Sequence, residues 1–108
     1  MSLTAAQARK IALSFPGTEE RISQGGPEIR TGKEFFVRIG TREPDTLMLK
    51  TQTLDERDAM IEAEPDLFFI TEHFKSYKGT LVRLRALDAK TLRALLRQRL
   101  AALAKPKR

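Results

Sequence analysis

The chain contains no cysteine and no tryptophan, and it has a single histidine, His73, and a single tyrosine, Tyr77. Without thiols there is no disulfide, thiolate metal site or thiol nucleophile. One histidine excludes a multi-histidine metal centre, and the carboxylates show no recognisable ligand spacing. No apolar run approaches a membrane span. The first apolar stretch, in "MSLTAAQARKIALSFPG", is short and broken by Arg9 and Lys10, unlike a secretory signal. These absences suggest a cytoplasmic, bacterial-type protein with no metal, no cofactor and no membrane partner.

Acidic residues are scarce at one end. Residues 79–108 hold nine basic side chains and one acidic one, whereas residues 53–78 hold three basic and seven acidic. The net charge of +6 is therefore concentrated late in the chain. A polarised chain of this kind favours a polyanionic partner on one flank, or two complementary surfaces packed inside the domain. With 108 residues there is material for one core. The expected organisation is a single domain over 1–104 with a basic tail at 105–108.

"TAAQ" at Thr4–Gln7 is a capping box at a helix start, and Ala8, Ile11, Ala12 and Phe15 follow at helical spacing until Pro16–Gly17. "TEERISQGGP" reads as a loop. "EIRT", "EFFVRI" and "TLMLKT" read as strands, with turns at Gly32–Lys33 and in "GTREPD". "TLDE" opens an acidic helix whose apolar residues are Leu54, Met60, Ile61 and Ala63. "LFFIT" is a short strand that splits Phe68 from Phe69. "SYKGTLVRLRALD" then alternates as a half-buried strand, with Val82, Leu84 and Ala86 inward and Arg83 and Arg85 outward. Asp88 caps the last helix, whose stripe is Ala89, Leu92, Leu96, Leu100 and Leu103. Arg99 falls inside that stripe, its stem expected to snorkel to water. The order α-β-β-β-α-β-β-α implies an α+β, two-layer fold, a mainly antiparallel sheet backed by helices.

Alternation assigns the face opposite the helices. Arg38, Lys50, Arg83 and Arg85 are expected there, with Phe36 and Met48 among them and Lys78 and Tyr77 at the entrance of the last strand. Cations around an exposed aromatic suit phosphate binding with a stacking platform. An antiparallel sheet with one wetted, arginine-rich face is the plainer reading.

The serial arrangement of "ALSFPGTEE", the hairpin "GK", "EAEPDLFFITEHF", "LVRLRALDAKTLRALL" and a terminal "KPK" resembles the YjbR/MmcQ family. The resemblance covers nearly the whole chain. It implies a compact α+β domain of the kind seen in type III secretion chaperone-like folds, and the description DNA-binding. It carries over no catalytic residue. Relatives often place a tryptophan in the last helix, near Leu100 here.

The leading expectation is a non-enzymatic, low-specificity DNA-binding protein, monomeric or weakly dimeric. Its surface is Arg38, Lys50, Lys78, Arg83 and Arg85, extended by Arg93 and Arg97, with Phe36, His73 and Tyr77 as stacking or pocket residues. The alternative is a protein-interaction or chaperone-like module, possibly self-associating, in which the sheet face or the acidic helix docks a partner. A small enzyme or ligand carrier would need a pocket at His73, with Ser76 or Tyr77 beside it.

Overall fold

The computed structural model describes residues 3–23, 26–31, 34–39 and 45–104. Helix α1 (Ala5–Leu13) begins at the expected capping box. The Gln7 N–H donates to Thr4 Oγ1 at 3.1 Å, and the Thr4 N–H donates to the Gln7 side-chain oxygen at 2.9 Å. Gly17, at φ 78°, turns the chain into the sheet.

A strand follows where a loop is expected. Residues Thr18–Ser23 form β1, paired antiparallel with β2 (Gly26–Thr31). Charge fills positions where a strand normally shows alternating apolar residues. Glu19 and Arg21 pair on one side at 3.3 Å, while Glu20 turns the other way and binds Arg9 of α1 at 2.7 Å. Hydrophobic periodicity cannot detect a strand of this composition.

Strands β3 (Glu34–Ile39) and β4 (Thr46–Lys50) complete a meander. Helix α2 (Leu54–Ala63), the two-residue strand β5 (Phe68–Phe69), a 3₁₀ turn at Glu72–Phe74 and strand β6 (Gly79–Arg83) come next. A second 3₁₀ turn, Leu84–Ala86, leads to helix α3 (Ala89–Ala104). The six strands are all antiparallel, in the spatial order β1-β2-β3-β4-β6-β5. The fold is thus α+β as expected, with one strand more than the sequence reading gives. The turn expected at Gly32–Lys33 lies outside the described residues, as does all of "GTREPD" except Asp45.

The register separates the two faces. Ile29, Val37, Leu49 and Thr80 form one rung, and Ile39, Leu47, Val82 and Phe68 the next. Their apolar members pack with Ala8, Ile11 and Ala12 of α1 and Leu92 and Leu96 of α3 in one core. Glu28, Arg38, Met48, Leu81 and Phe69 form a rung on the opposite face.

Phe36 breaks this alternation. The register of β2 on β3 runs from Ile29↔Val37 to Arg30↔Phe35, so Phe36 is an inserted residue in β3. A bulge of this kind re-aims a side chain. Phe36 is fully buried in the helix-side core beside Val37, its ring edge-on to Phe15 at 6.0 Å. Its expected place on the open face is therefore corrected.

The last strand is also shorter than its alternation implies. Leu84 donates its N–H to the Asp45 carbonyl at 2.9 Å, and Leu87 donates back to Leu84 at 3.1 Å, closing the 3₁₀ turn. Val82 and Leu84 are buried as expected, but Ala86 is exposed and Leu87 takes its place in the core. Asp88 caps α3 by accepting the Thr91 N–H at 2.7 Å.

Truncating Phe36 tests the bulge. As a core ring it should cost about 4 kcal/mol when replaced by alanine, read from urea unfolding midpoints. A loss below about 1 kcal/mol would place the ring on a wetted face instead.

Candidate nucleic-acid interface

The cations expected on the sheet face divide into separate environments. Arg38 is there, but it lies 3.6 Å from Glu28, which also holds Arg30 at 2.8 Å. Glu28 is only 7% exposed. Two guanidiniums thus share one nearly buried carboxylate. A carboxylate so desolvated depends on such partners.

Arg83 is on the same face and is also held. Its guanidinium stacks over the Phe69 ring at 4.1 Å and donates to the Pro65 carbonyl at 2.8 Å. The geometry is that of a cation–π contact, which explains why Phe69 is only partly buried while Phe68 enters the core. Lys50 sits half-buried at the end of β4, and Lys78 is exposed before β6. Arg85 does not share the sheet face with Arg83, because the strand ends first. It projects from the 3₁₀ turn and is exposed.

Tyr77 covers part of this face. A methyl group on Gly79 would sit 2.7 Å from the Tyr77 ring and 3.0 Å from Met48 Sδ, so the ring lies against the Gly79 backbone beside Met48. Phe74 packs on Tyr77 with ring centroids 6.1 Å apart, and His73 meets Phe74 edge-on at 4.8 Å. Partial burial pushes the Tyr77 hydroxyl above its ordinary pKa, against the opposing pull of Arg38 and Arg99. His73 is exposed, and among the described residues no hydrogen bond joins it to Ser76 or Tyr77. No described group of three or more His, Asp or Glu residues is placed to hold a metal.

The residue that shapes this segment is Arg57, which the sequence reading passes over. It is 6% exposed and is the buried residue of α2, while the apolar Leu54 is 39% exposed. Its Nη1 donates to the carbonyls of Phe74, Lys75 and Tyr77 at 3.3, 2.9 and 3.0 Å. Its Nε and Nη2 hold Asp58 Oδ1 at 2.9 and 2.8 Å. The planar fork of guanidinium suits such a bundle of acceptors, and lysine could not replace it.

Helix α3 belongs to the other layer. Leu92 and Leu96 are buried, with Ala89, Leu95 and Leu100 packed around them. Arg99 does not reach water as expected: it is 7% exposed, beside a cavity of about 340 Å³ that α2 and α3 enclose with the end of β4. Lys90, Arg93 and Arg97 are exposed. They lie within one side of the helix by angular spacing. The structure therefore sets Arg93 and Arg97 on the helix layer, on the opposite side of the sheet from Arg38 and Arg83.

The contact between Tyr77 and Gly79 gives a direct test. Gly79→Ala should cost about 2 kcal/mol by displacing the ring, and under about 0.5 kcal/mol in a Tyr77→Ala background. Thermal or urea unfolding of the four variants measures the coupling. Equal costs in both backgrounds would show that the ring is not the obstacle.

Comparison with known proteins adds a family. The uncharacterised proteins Mb2600 of Mycobacterium bovis and Rv2570 of Mycobacterium tuberculosis are each 31% identical to this chain over 72 residues. The match takes in 65% of this chain and 56% of each relative, so the chain spans little more than half the length of these proteins. No solved structure matches it. Residues 13–99, from the end of α1 through most of α3, match the model of the family described as YjbR. The chain belongs to the YjbR family.

Proposed function

We propose that this protein is a non-enzymatic, low-specificity DNA-binding protein whose contact surface is the outer side of α3. The observation that carries this reading is the set of Lys90, Arg93 and Arg97. All three are exposed, lie on one side of the helix, and have no ion-pair partner among the described residues. Residues 89–104 contain no acidic side chain. Asp88, the nearest carboxylate in the chain, is engaged in the helix cap, and the N–H of Thr91 holds its pKa below the ordinary value. Arg85 extends the cationic set just before the helix.

The dimensions suit a phosphate backbone. Lys90 to Arg97 spans about 10 Å along the helix axis. The same length of duplex carries about six phosphates. Neutralising phosphates releases counterions, which gives affinity without reading bases. The sheet-face cations contribute less in this reading, because Arg38 is paired with Glu28 and Arg83 is stacked and hydrogen-bonded. Tyr77 is engaged with Gly79 and Phe74 rather than displayed as a stacking platform.

Three to four phosphate contacts predict a salt slope of about −3 in log K against log salt, a loss of about 60-fold between 50 and 200 mM. Fluorescence anisotropy with a labelled duplex measures it. The Lys90→Glu/Arg93→Glu/Arg97→Glu variant, which alters only exposed positions, should stay folded by circular dichroism and lose binding. A folded triple variant with undiminished affinity, or a wild type whose binding ignores salt, would remove the proposal.

A further inference from the structure

The two edges of the sheet are built differently. At one edge β5 is two residues long, and so short an edge gives another strand little to pair with. At the other edge β1 has six residues, pairs with β2 without a register shift, and contains neither proline nor lysine. The N–H and C=O groups of its alternate residues point away from β2. No other described strand meets them. Native proteins blunt an edge of this length with charged residues, proline or a bulge; β1 has charge alone, in Glu19, Glu20 and Arg21, so any partner strand must match those charges.

We propose that β1 pairs antiparallel with β1 of a second copy of this chain, about a twofold axis passing through Glu20. The side chains select that register. Glu19 and Arg21 share the open face, as their 3.3 Å pair shows, and Glu20 lies on the helix face. With Glu20 opposite Glu20, each Glu19 lies opposite Arg21 of the other copy, twice over by symmetry. Sliding the pairing by one step of alternation sets Glu19 opposite Glu19, or Arg21 opposite Arg21. Sliding it by a single residue mismatches the faces. Only the centred register joins opposite charges on matching faces. The two Glu20 carboxylates at the axis are each held by their own Arg9, which lowers the Glu20 pKa through its hydrogen bond.

The helices leave room for this. Helix α1 touches both β1 and β3, so it lies above the middle of β2. Across the axis the two α1 helices stand about three strand spacings apart, roughly 14 Å. That exceeds the 8–10 Å of packed helices, so they do not collide. The result is one continuous sheet with both helix layers on the same side.

Sedimentation velocity across protein concentration tests the proposal. Wild type should approach twice 12.2 kDa as concentration rises. Arg21→Glu and Glu19→Arg each replace both attractive pairs by repulsive ones and should weaken self-association about tenfold or more. An equimolar mixture of the two single variants restores opposite charges across the seam and should form the dimer again. A wild type that stays monomeric at every concentration would overturn the proposal. So would a dimer indifferent to either substitution, or two folded monomeric variants that fail to associate when mixed. Because Arg21 and Glu19 stand apart from Lys90, Arg93 and Arg97, loss of dimerisation is distinguishable from loss of DNA binding.

Discussion

A single buried guanidinium organises the half of the molecule that local sequence patterns describe least well. Arg57 reaches from α2 to three carbonyls of the chain between Phe74 and Tyr77, a segment with little regular structure of its own. Carbonyl groups in such a segment must find donors if they are shielded from water. Arg57 supplies them from one side chain, with Asp58 balancing the charge. The segment so fixed delivers Tyr77 onto Gly79 and starts β6 in register against β4. Removing the donor while the acceptors stay buried is the costly case for hydrogen bonds, commonly about 1–3 kcal/mol for each group left unsatisfied. The fold of the sheet's second half therefore rests on a polar residue in a helix whose apolar content is weak.

Much of this architecture is legible in the sequence, and the exceptions have physical causes. The capping box at Thr4–Gln7 and the Asp88 cap are local chemistry, so they are readable from a few adjacent residues. The apolar alternation of β4 and the stripe of α3 are equally direct. Strand β1 is not, because its faces are satisfied by Arg9–Glu20 and Glu19–Arg21 rather than by burial of apolar groups. Phe36 is misplaced by alternation because a bulge is a property of two strands in register, and one strand alone does not announce it. Arg57 and Arg99 carry charges that composition assigns to the surface, yet both are buried, Arg57 against the Phe74–Tyr77 segment and Arg99 beside the cavity between α2 and α3.

The same limit applies to the candidate site. Residue type and period place Arg38 and Arg83 correctly on the face away from the helices. They do not reveal that Glu28, on the neighbouring strand β2, lies beside Arg38, or that Phe69 and Pro65 receive Arg83. Partners distant in sequence decide whether a cation is available to a ligand. On α3 the inference is simpler, since a stretch without acidic residues cannot neutralise its own cations. Basic composition thus singles out α3, whereas alternation singles out a sheet face whose arginines already have partners within the domain.

The burial of Met48 bears on how this thiol-free chain meets oxidants. Its sulfur is all thioether, and oxidation to the sulfoxide turns an apolar side chain into a polar one. Met48 is 3% exposed in the sheet beside Gly79, whereas Met60 borders the cavity between α2 and α3 and is only partly buried. Of these two methionines, Met60 would be converted first. Peroxide damage would thus start at the cavity that Met60 lines before it reached the centre of the sheet.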